Sequence, residues 1–223
     1  MIQIFSLILF RKEQMTDTDS DVINKIKKGD TEEFRKIIDL YRNKSYSLAL
    51  RILKTHNDAE DCVQESFIKL YNAIVNGLYE SKSKLSTYLY AIVYNTAVDT
   101  YKKHSKRSFN ITSIDITESN FREGDELVRN FDYVILKSED GSPYSKLVKK
   151  EIAGIIRNYV DSIPEHYSVI LNMFYVNELS YEEIGGILKL PEGTVKNRIF
   201  RAKEKLKQII LKNYSQEEIL EYI

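Results

Sequence analysis

Apolar residues recur along this chain at helical spacing. Val22, Ile26, Phe34, Ile37, Ile38 and Tyr41 follow one another at three, four and seven or eight residues. Val63, Phe67, Leu70 and Ile74 repeat the pattern, as do Leu85, Leu89, Ile92 and Val93. Such periods mark amphipathic helices, and no segment alternates with period two for long. The expected fold is all-α. From about Ser108 to Ser145 the periodicity stops, leaving Ile111, Ile114 and Ile116 isolated among polar residues. A loop of that length is unusual inside one compact domain, so it reads as a linker between two small helical domains. The expected organisation is an extension at 1–20, a first helical domain at 21–107, a flexible acidic linker at 108–145, a second helical domain at 146–212 and a tail at 213–223.

Composition excludes several classes. With 223 residues, 43% hydrophobic and 30% charged, the chain has the composition of a soluble globular protein, neither disordered nor collagenous. A single cysteine, Cys62, makes no internal disulfide, and three histidines are too few for a Cys/His zinc site; cytoplasm is the expected compartment. The apolar start, Met1 to Phe10, is shorter than the roughly 20 residues a bilayer needs, so no membrane insertion is expected. It lacks a leading positive region and a cleavage site, and Met15 opens a polar helix-starting sequence, so Met15 is the expected native start.

The formal net charge is zero, which by itself argues against a nucleic-acid partner. Local field decides the matter, because exposed charges more than about 10 Å apart are largely screened. Lys102, Lys103, Lys106 and Arg107 form a basic run. Eight acids against three bases follow between Asn110 and Gly141, and seven bases against two acids lie between Glu192 and Lys212. Two basic patches therefore flank an acidic stretch.

The second basic patch belongs to the strongest local motif. Ser180 with Glu183 three residues later is a capping box, and Ile184, Ile187 and Leu188 follow on one face. Pro191 ends that helix by disfavouring α geometry at Leu190, and it is itself tolerated in the first turn of a second helix. There Val195, Ile199, Ala202 and Leu206 form a stripe to be buried, leaving Thr194, Lys196, Asn197, Arg198, Arg201 and Lys205 on other faces. A short capped helix, a proline-marked turn and a basic helix make a helix-turn-helix, whose second helix presents donors to the major groove. Gly185 and Gly186 each lower helix stability by about 1 kcal/mol relative to alanine. Close approach of the two helices at the turn is the expected reason.

The first domain carries a different chemistry. Asp58, Asp61 and Glu65 share one ridge of a helix that Asn57 or Asp58 is expected to cap. Three readings compete: a metal site, a solvated face, or a docking surface for a basic partner. Adjacent-turn acids from one helix supply few convergent ligands, and the second acidic pair with its histidine that a di-iron bundle requires is absent, so neither metal nor cofactor is expected. Tyr88, Tyr90, Tyr94 and Tyr101 interleave with an apolar stripe and run into Lys102 and Lys103. Aromatics beside cations suit single-stranded DNA, although tyrosines at helical spacing also fill cores.

Together these residues resemble the extracytoplasmic-function, or group IV, sigma factors of bacterial RNA polymerase, in order and at family spacing from about Val22 to Ile210. Gly29-Asp30 with Phe34 and Tyr41, Asp58-Ala-Glu-Asp61 with Gln64-Glu65 and Phe67, and Thr87, Leu89, Asn95 and Asp99 resemble the family's region 2. Ile163-Pro-Glu165, Ser180-Tyr-Glu-Glu-Ile184 and Gly193-Thr-Val-Lys196 with Arg198, Arg201 and Ala202 resemble region 4. The resemblance implies a non-enzymatic factor that binds core RNA polymerase, recognises and melts promoters, and is held by an anti-sigma factor. It implies that Asp58, Glu60, Asp61, Gln64 and Glu65 dock on the clamp helices of the largest polymerase subunit, with the flap as a further contact. Tyr88, Tyr90, Asn95, Asp99, Lys102 and Lys103, after a loop at 76–84, would serve the minus-10 element. Thr194, Lys196, Asn197, Arg198, Arg201 and Lys205 would serve the minus-35 element.

The sequence departs from the family at Tyr88, where tryptophan is common, at Gly185 for a usual alanine, and at Asn197 for a usual serine. Lys102-Lys103 stands where arginine is frequent, and lysine lacks the bidentate fork. The promoter sequence therefore does not carry over. Two rival readings are a stand-alone helix-turn-helix regulator of duplex DNA and a metal-dependent helical hydrolase built on Asp58, Asp61 and Glu65.

Overall fold

A computed structural model describes residues 17–104, 160 and 162–213. The extension before residue 17, the expected linker and most of the C-terminal tail lie outside the described residues. Among the described residues every regular element is helical, as the apolar period predicts. Helices α1 (Asp17–Lys27), α2 (Thr31–Leu53), α3 (His56–Val75) and α4 (Leu85–His104) form the first group. Helix α5 (Glu165–Leu171) runs into a π-helical stretch at Asn172–Val176, and α6 (Tyr181–Leu188) and α7 (Glu192–Asn213) complete the second.

Polar residues set the ends of these helices. Asp30 accepts the backbone N–H groups of Glu32 and Glu33 at 3.1 and 3.2 Å and starts α2. Lys54 stops it in the left-handed region, with φ 64°. Only Lys54 and Thr55 separate α2 from α3, and so short a link makes neighbouring helices antiparallel. The cap of α3 is Thr55, whose Oγ1 accepts the Asp58 N–H at 3.3 Å, and not Asn57 or Asp58 as the sequence led us to expect. A hydroxyl three residues ahead of the first acid accepts the Asp58 N–H, which leaves Asp58 inside the first turn.

Most of the expected stripe positions are buried: Ile26, Phe34 and Ile37 from α1 and α2, Val63, Phe67, Leu70 and Ile74 from α3, and Leu85, Leu89 and Val93 from α4, with Val22, Ile38, Tyr41 and Ile92 half-buried against them. Phe34 anchors α2 on α3 through edge-on contacts with Phe67 and Tyr71, with ring centroids 6.4 and 5.0 Å apart. The stripe of α7, Val195, Ile199, Ala202 and Leu206, is likewise buried.

The two helical groups do not stand apart. Their apolar side chains merge into one continuous core, with α5 and the π-helical stretch against α2 and α6 against α4. Helix α4 makes this possible because it buries more than one face: Thr87, Leu89, Tyr90, Val93, Thr96, Ala97 and Val98 are all inside. A helix apolar over most of its circumference is a central helix.

Candidate nucleic-acid interface

Helices α6 and α7 form the turn that the sequence announces. Ser180 Oγ accepts the Glu183 N–H at 3.2 Å while Glu183 Oε2 accepts the Ser180 N–H at 2.7 Å, so both halves of the capping box are present. Lys189 ends α6 in the left-handed region, and the Pro191 carbonyl accepts the N–H groups of Thr194 and Val195 to open α7. Gly185 fits the expected close approach, since a Cβ there would lie 2.8 Å from the backbone oxygen of Leu190. Gly186 has open space around it and answers no such need.

On α7, Lys196 and Lys205 are exposed, and Thr194, Asn197 and Arg201 are partly exposed. Lys196 is held by Glu192 at 2.8 Å and lies 5.5 Å from the centre of the Tyr181 ring, which stacks on Phe174. Lys205 lies 5.8 Å over Tyr167. Arg198 departs from expectation: it is 7% exposed and sits at the junction with α4. Burial lowers its pKa, while the nearby hydroxyls of Tyr167 and Tyr94 act to raise it. Burial pushes the Tyr94 hydroxyl up to about 12, against the pull of Arg198. In this arrangement Arg198 is not on the exposed face of α7, with Tyr167 of α5 and Tyr94 of α4 near it.

The acidic face of α3 has the opposite setting. Glu60, Asp61, Gln64 and Glu65 are exposed, with Asp58 partly covered. Thr55 donates to Asp58 Oδ2 at 2.6 Å and His104 Nδ1 lies 3.5 Å away, so Asp58 joins the start of α3 to the end of α4. Lys69 pairs with Glu65 at 2.8 Å and donates to Thr96 at 2.9 Å, tying the same two helices further along. Ile68 is 62% exposed among these acids, and the sequence reading passed it over. The signal was there: Ile68 stands outside the stripe of Val63, Phe67, Leu70 and Ile74. Among the described residues no three His, Cys, Asp or Glu are gathered as metal ligands.

Between α3 and α4 the chain displays Leu78, Glu80 and Lys82. Tyr79 pins this loop from inside, its hydroxyl donating to the Ser83 carbonyl at 2.7 Å and its N–H to the Ala73 carbonyl at 3.0 Å. Gly77 and Ser81 take positive φ, 72° and 55°, which bend the loop sharply on both sides of that anchor. Tyr88 lies partly exposed beside Tyr79, centroids 5.0 Å apart, while Asn95, Asp99, Lys102 and Lys103 are exposed along α4. Tyr90 corrects the sequence expectation. It is 1% exposed and packs edge-on against Tyr41 at 6.2 Å, so it fills the core and offers no face to DNA.

Cys62 is buried, its thiol near the Val93 carbonyl, and burial pushes its pKa up to about 11. It is a packing residue with little nucleophilic character.

Residues 37–107 match the family described as Sigma-70 region 2, and residues 153–206 match Sigma-70, region 4. The ECF RNA polymerase sigma factor SigW of Bacillus subtilis (strain 168) is 32% identical over 83% of this chain and 93% of its own length. The chain belongs to the extracytoplasmic-function sigma factors of the sigma-70 family. The ECF RNA polymerase sigma-E factor of Escherichia coli (strain K12) is also 32% identical, over 86% of this chain and 93% of its own length. Solved structures of similar fold include CnrH in complex with the cytosolic domain of CnrY, with a TM-score of 0.56 and 15% identity over 88% of this chain and 99% of that one. The sigma factor RpoE of Bartonella quintana, in complex with the anti-sigma factor NepR, gives 0.50 and 20% over 80% and 97%. This sigma factor directs promoter-specific transcription initiation, and its two helical groups carry regions 2 and 4. No described helix is long and apolar enough to cross a membrane.

Proposed function

We propose that the sigma factor engages core polymerase through the exposed α3 face, Asp58, Glu60, Asp61, Gln64 and Glu65, with Ile68 as its apolar centre. The observation that carries this reading is an exposed isoleucine that continues an exposed acidic face, on a helix tied to α4 at its start and again at Lys69. Apolar centres with polar rims are how protein interfaces exclude water and keep register, and acids steer a basic partner. The same reading assigns the loop at 76–84, with Tyr88, Asn95, Asp99, Lys102 and Lys103, to the minus-10 element. Flipping a base out of the duplex costs a few kcal/mol, which stacking on the partly exposed Tyr88 ring helps to offset. Thr194, Lys196, Asn197, Arg201 and Lys205 serve the minus-35 duplex, with Arg198 joining them once it leaves its present position. Domain limits of 21–107 and 146–212 go with these roles.

The chain works by binding, without chemistry of its own, in the cytoplasm beside its polymerase. A protein antagonist comparable to the anti-sigma factor bound to RpoE of Bartonella quintana is part of the same reading. The test is transcription of sheared genomic DNA by core polymerase with and without the chain, with RNA 5′ ends mapped. Discrete new start sites are expected only in its presence. Duplex binding with no new starts would favour a stand-alone regulator instead.

A further inference from the structure

Lys196 and Lys203 stand about two turns apart on one line along α7, and both lie against the same aromatic stack. The Phe174 and Tyr181 rings are parallel to within 2°, with centroids 5.1 Å apart. The Lys196 ammonium lies 5.5 Å from the Tyr181 centroid, and the Lys203 ammonium lies 6.0 Å from that of Phe174 and 5.5 Å from that of Tyr175. The result is a ladder in the order Lys196, Tyr181, Phe174, Lys203, Tyr175, with each ring half-buried. Tyr181 opens α6 and the π-helical stretch carries Phe174 and Tyr175, so two elements supply the rings and a third the charges. We propose that the Phe174–Tyr181 stack is a positioning element that holds Lys196 and Lys203 ready for the phosphate backbone of the minus-35 duplex, and that Lys203, which the sequence reading left out, belongs to the DNA-binding surface. This rests on the assignment of α7 to that duplex made above.

Phosphate, and not a base edge, fits this place and these side chains. At about 3.6 residues per turn, Lys196 and Lys203 fall on one flank of α7 next to buried Ile199, while Thr194, Asn197 and Arg201 fall together further round. Lysine is a point charge without the planar fork that reads guanine, and backbone contacts are what set the register of a protein on a duplex. A lysine left to solvent loses much rotamer freedom when it makes such a contact. Rings that already hold it remove part of that loss beforehand. A ring engages one side of the ammonium and leaves N–H donors for phosphate. The Glu192 carboxylate, 2.8 Å from Lys196, also holds it in place, and an exposed pair of this kind is weak enough for a phosphate to replace.

The test is binding of the full chain to a short labelled mixed-sequence duplex, read by fluorescence anisotropy over a series of low salt concentrations. Phosphate contacts are independent of sequence, so this probe reports them. Lys203→Gln should lower the slope of log affinity against log salt by about 0.9, the share of one phosphate contact. Phe174→Leu and Tyr181→Leu, with both charges still present, should each weaken binding about two- to fivefold. Tyr181→Phe keeps the ring and should bind like the wild type. In a chain that also carries Lys196→Gln and Lys203→Gln, the two leucine variants should change nothing more, because no ammonium is left for the rings to hold. Rings that merely support region 4 would weaken binding equally in both backgrounds, and that result would overturn the positioning role. A loss with Tyr181→Phe equal to that with leucine would assign the effect to the hydroxyl and overturn it too. An unchanged slope in Lys203→Gln would remove Lys203 from the DNA-binding surface. Arg201→Ala separates the ladder from the reading beneath it. If Arg201→Ala weakens binding and Lys203→Gln does not, the ladder alone falls; if neither weakens it, α7 is not the duplex-reading helix and both fall.

Discussion

The acidic face of α3 and the basic face of α7 are both amphipathic helix surfaces, yet the fold treats them oppositely. On α3 the acids stand in solvent and the helix behind them is fixed to α4 through Asp58–His104 and Lys69–Thr96. On α7, Lys196 and Lys205 are displayed, but Arg198, in the first half of the same helix, is buried. A surface already in place binds with little reorganisation, whereas one partly withdrawn must first be released. Under the proposed assignment of these faces, the docking surface is in place in this arrangement, and the part of the duplex-reading surface that Arg198 would supply is not.

The comparison breaks most easily where α4 mediates it. Tyr90→Ala should destabilise the first helical group by about 3–5 kcal/mol, the range for deleting a large buried aromatic, measured by urea unfolding. A loss under about 1 kcal/mol would mean the ring is a surface group, as the sequence alone allowed. Asp61→Lys should weaken binding to core polymerase about a hundredfold, since like charges across an interface cost several kcal/mol. It should leave the melting temperature unchanged, and co-purification equal to wild type would remove α3 from the docking role. Gly185→Ala should destabilise region 4 by about 1–3 kcal/mol because its Cβ must displace the Leu190 carbonyl. Gly186→Ala, with open space, should stabilise by about 0.5–1 kcal/mol.

The smallest effect concerns pH. Burial raises the pKa of Glu183, but the Ser180 N–H, the Lys84 ammonium and the Thr87 hydroxyl outweigh it and leave the pKa below the ordinary 4.5. A depressed carboxylate stabilises the folded arrangement above its ordinary pKa and loses that contribution as pH falls through the lowered value. The readout is the radius of gyration of the wild-type chain by X-ray scattering. It should stay constant down to about pH 4.5 and rise below it. Glu183→Gln, which keeps a capping side chain, should flatten that rise.

Much of the fold was legible because it is written in local spacing. The core stripes of α2, α3, α4 and α7, the capping box of Ser180 and Glu183, and the tight turn at Gly185 all involve residues a few positions apart. Burial of Tyr90 and Arg198 was not legible. Tyr90 lies off the stripe that α4 announces, while Arg198 borders the stripe of α7, three residues after Val195 and four before Ala202, and only its charge marks it for the surface. Thr87 and Glu183 are 96 residues apart, so nothing in either neighbourhood reports the other. Charge places lysines and arginines on a helix, and only tertiary packing decides which of them water sees.

The most direct measurement is recovery of sheared genomic DNA at physiological salt by the chain alone and by the chain with core polymerase. The account predicts that a discrete set of promoter fragments is retained with polymerase, while the free chain retains DNA weakly and without preference. Recovery of the same fragments, as tightly, by the free chain would contradict it.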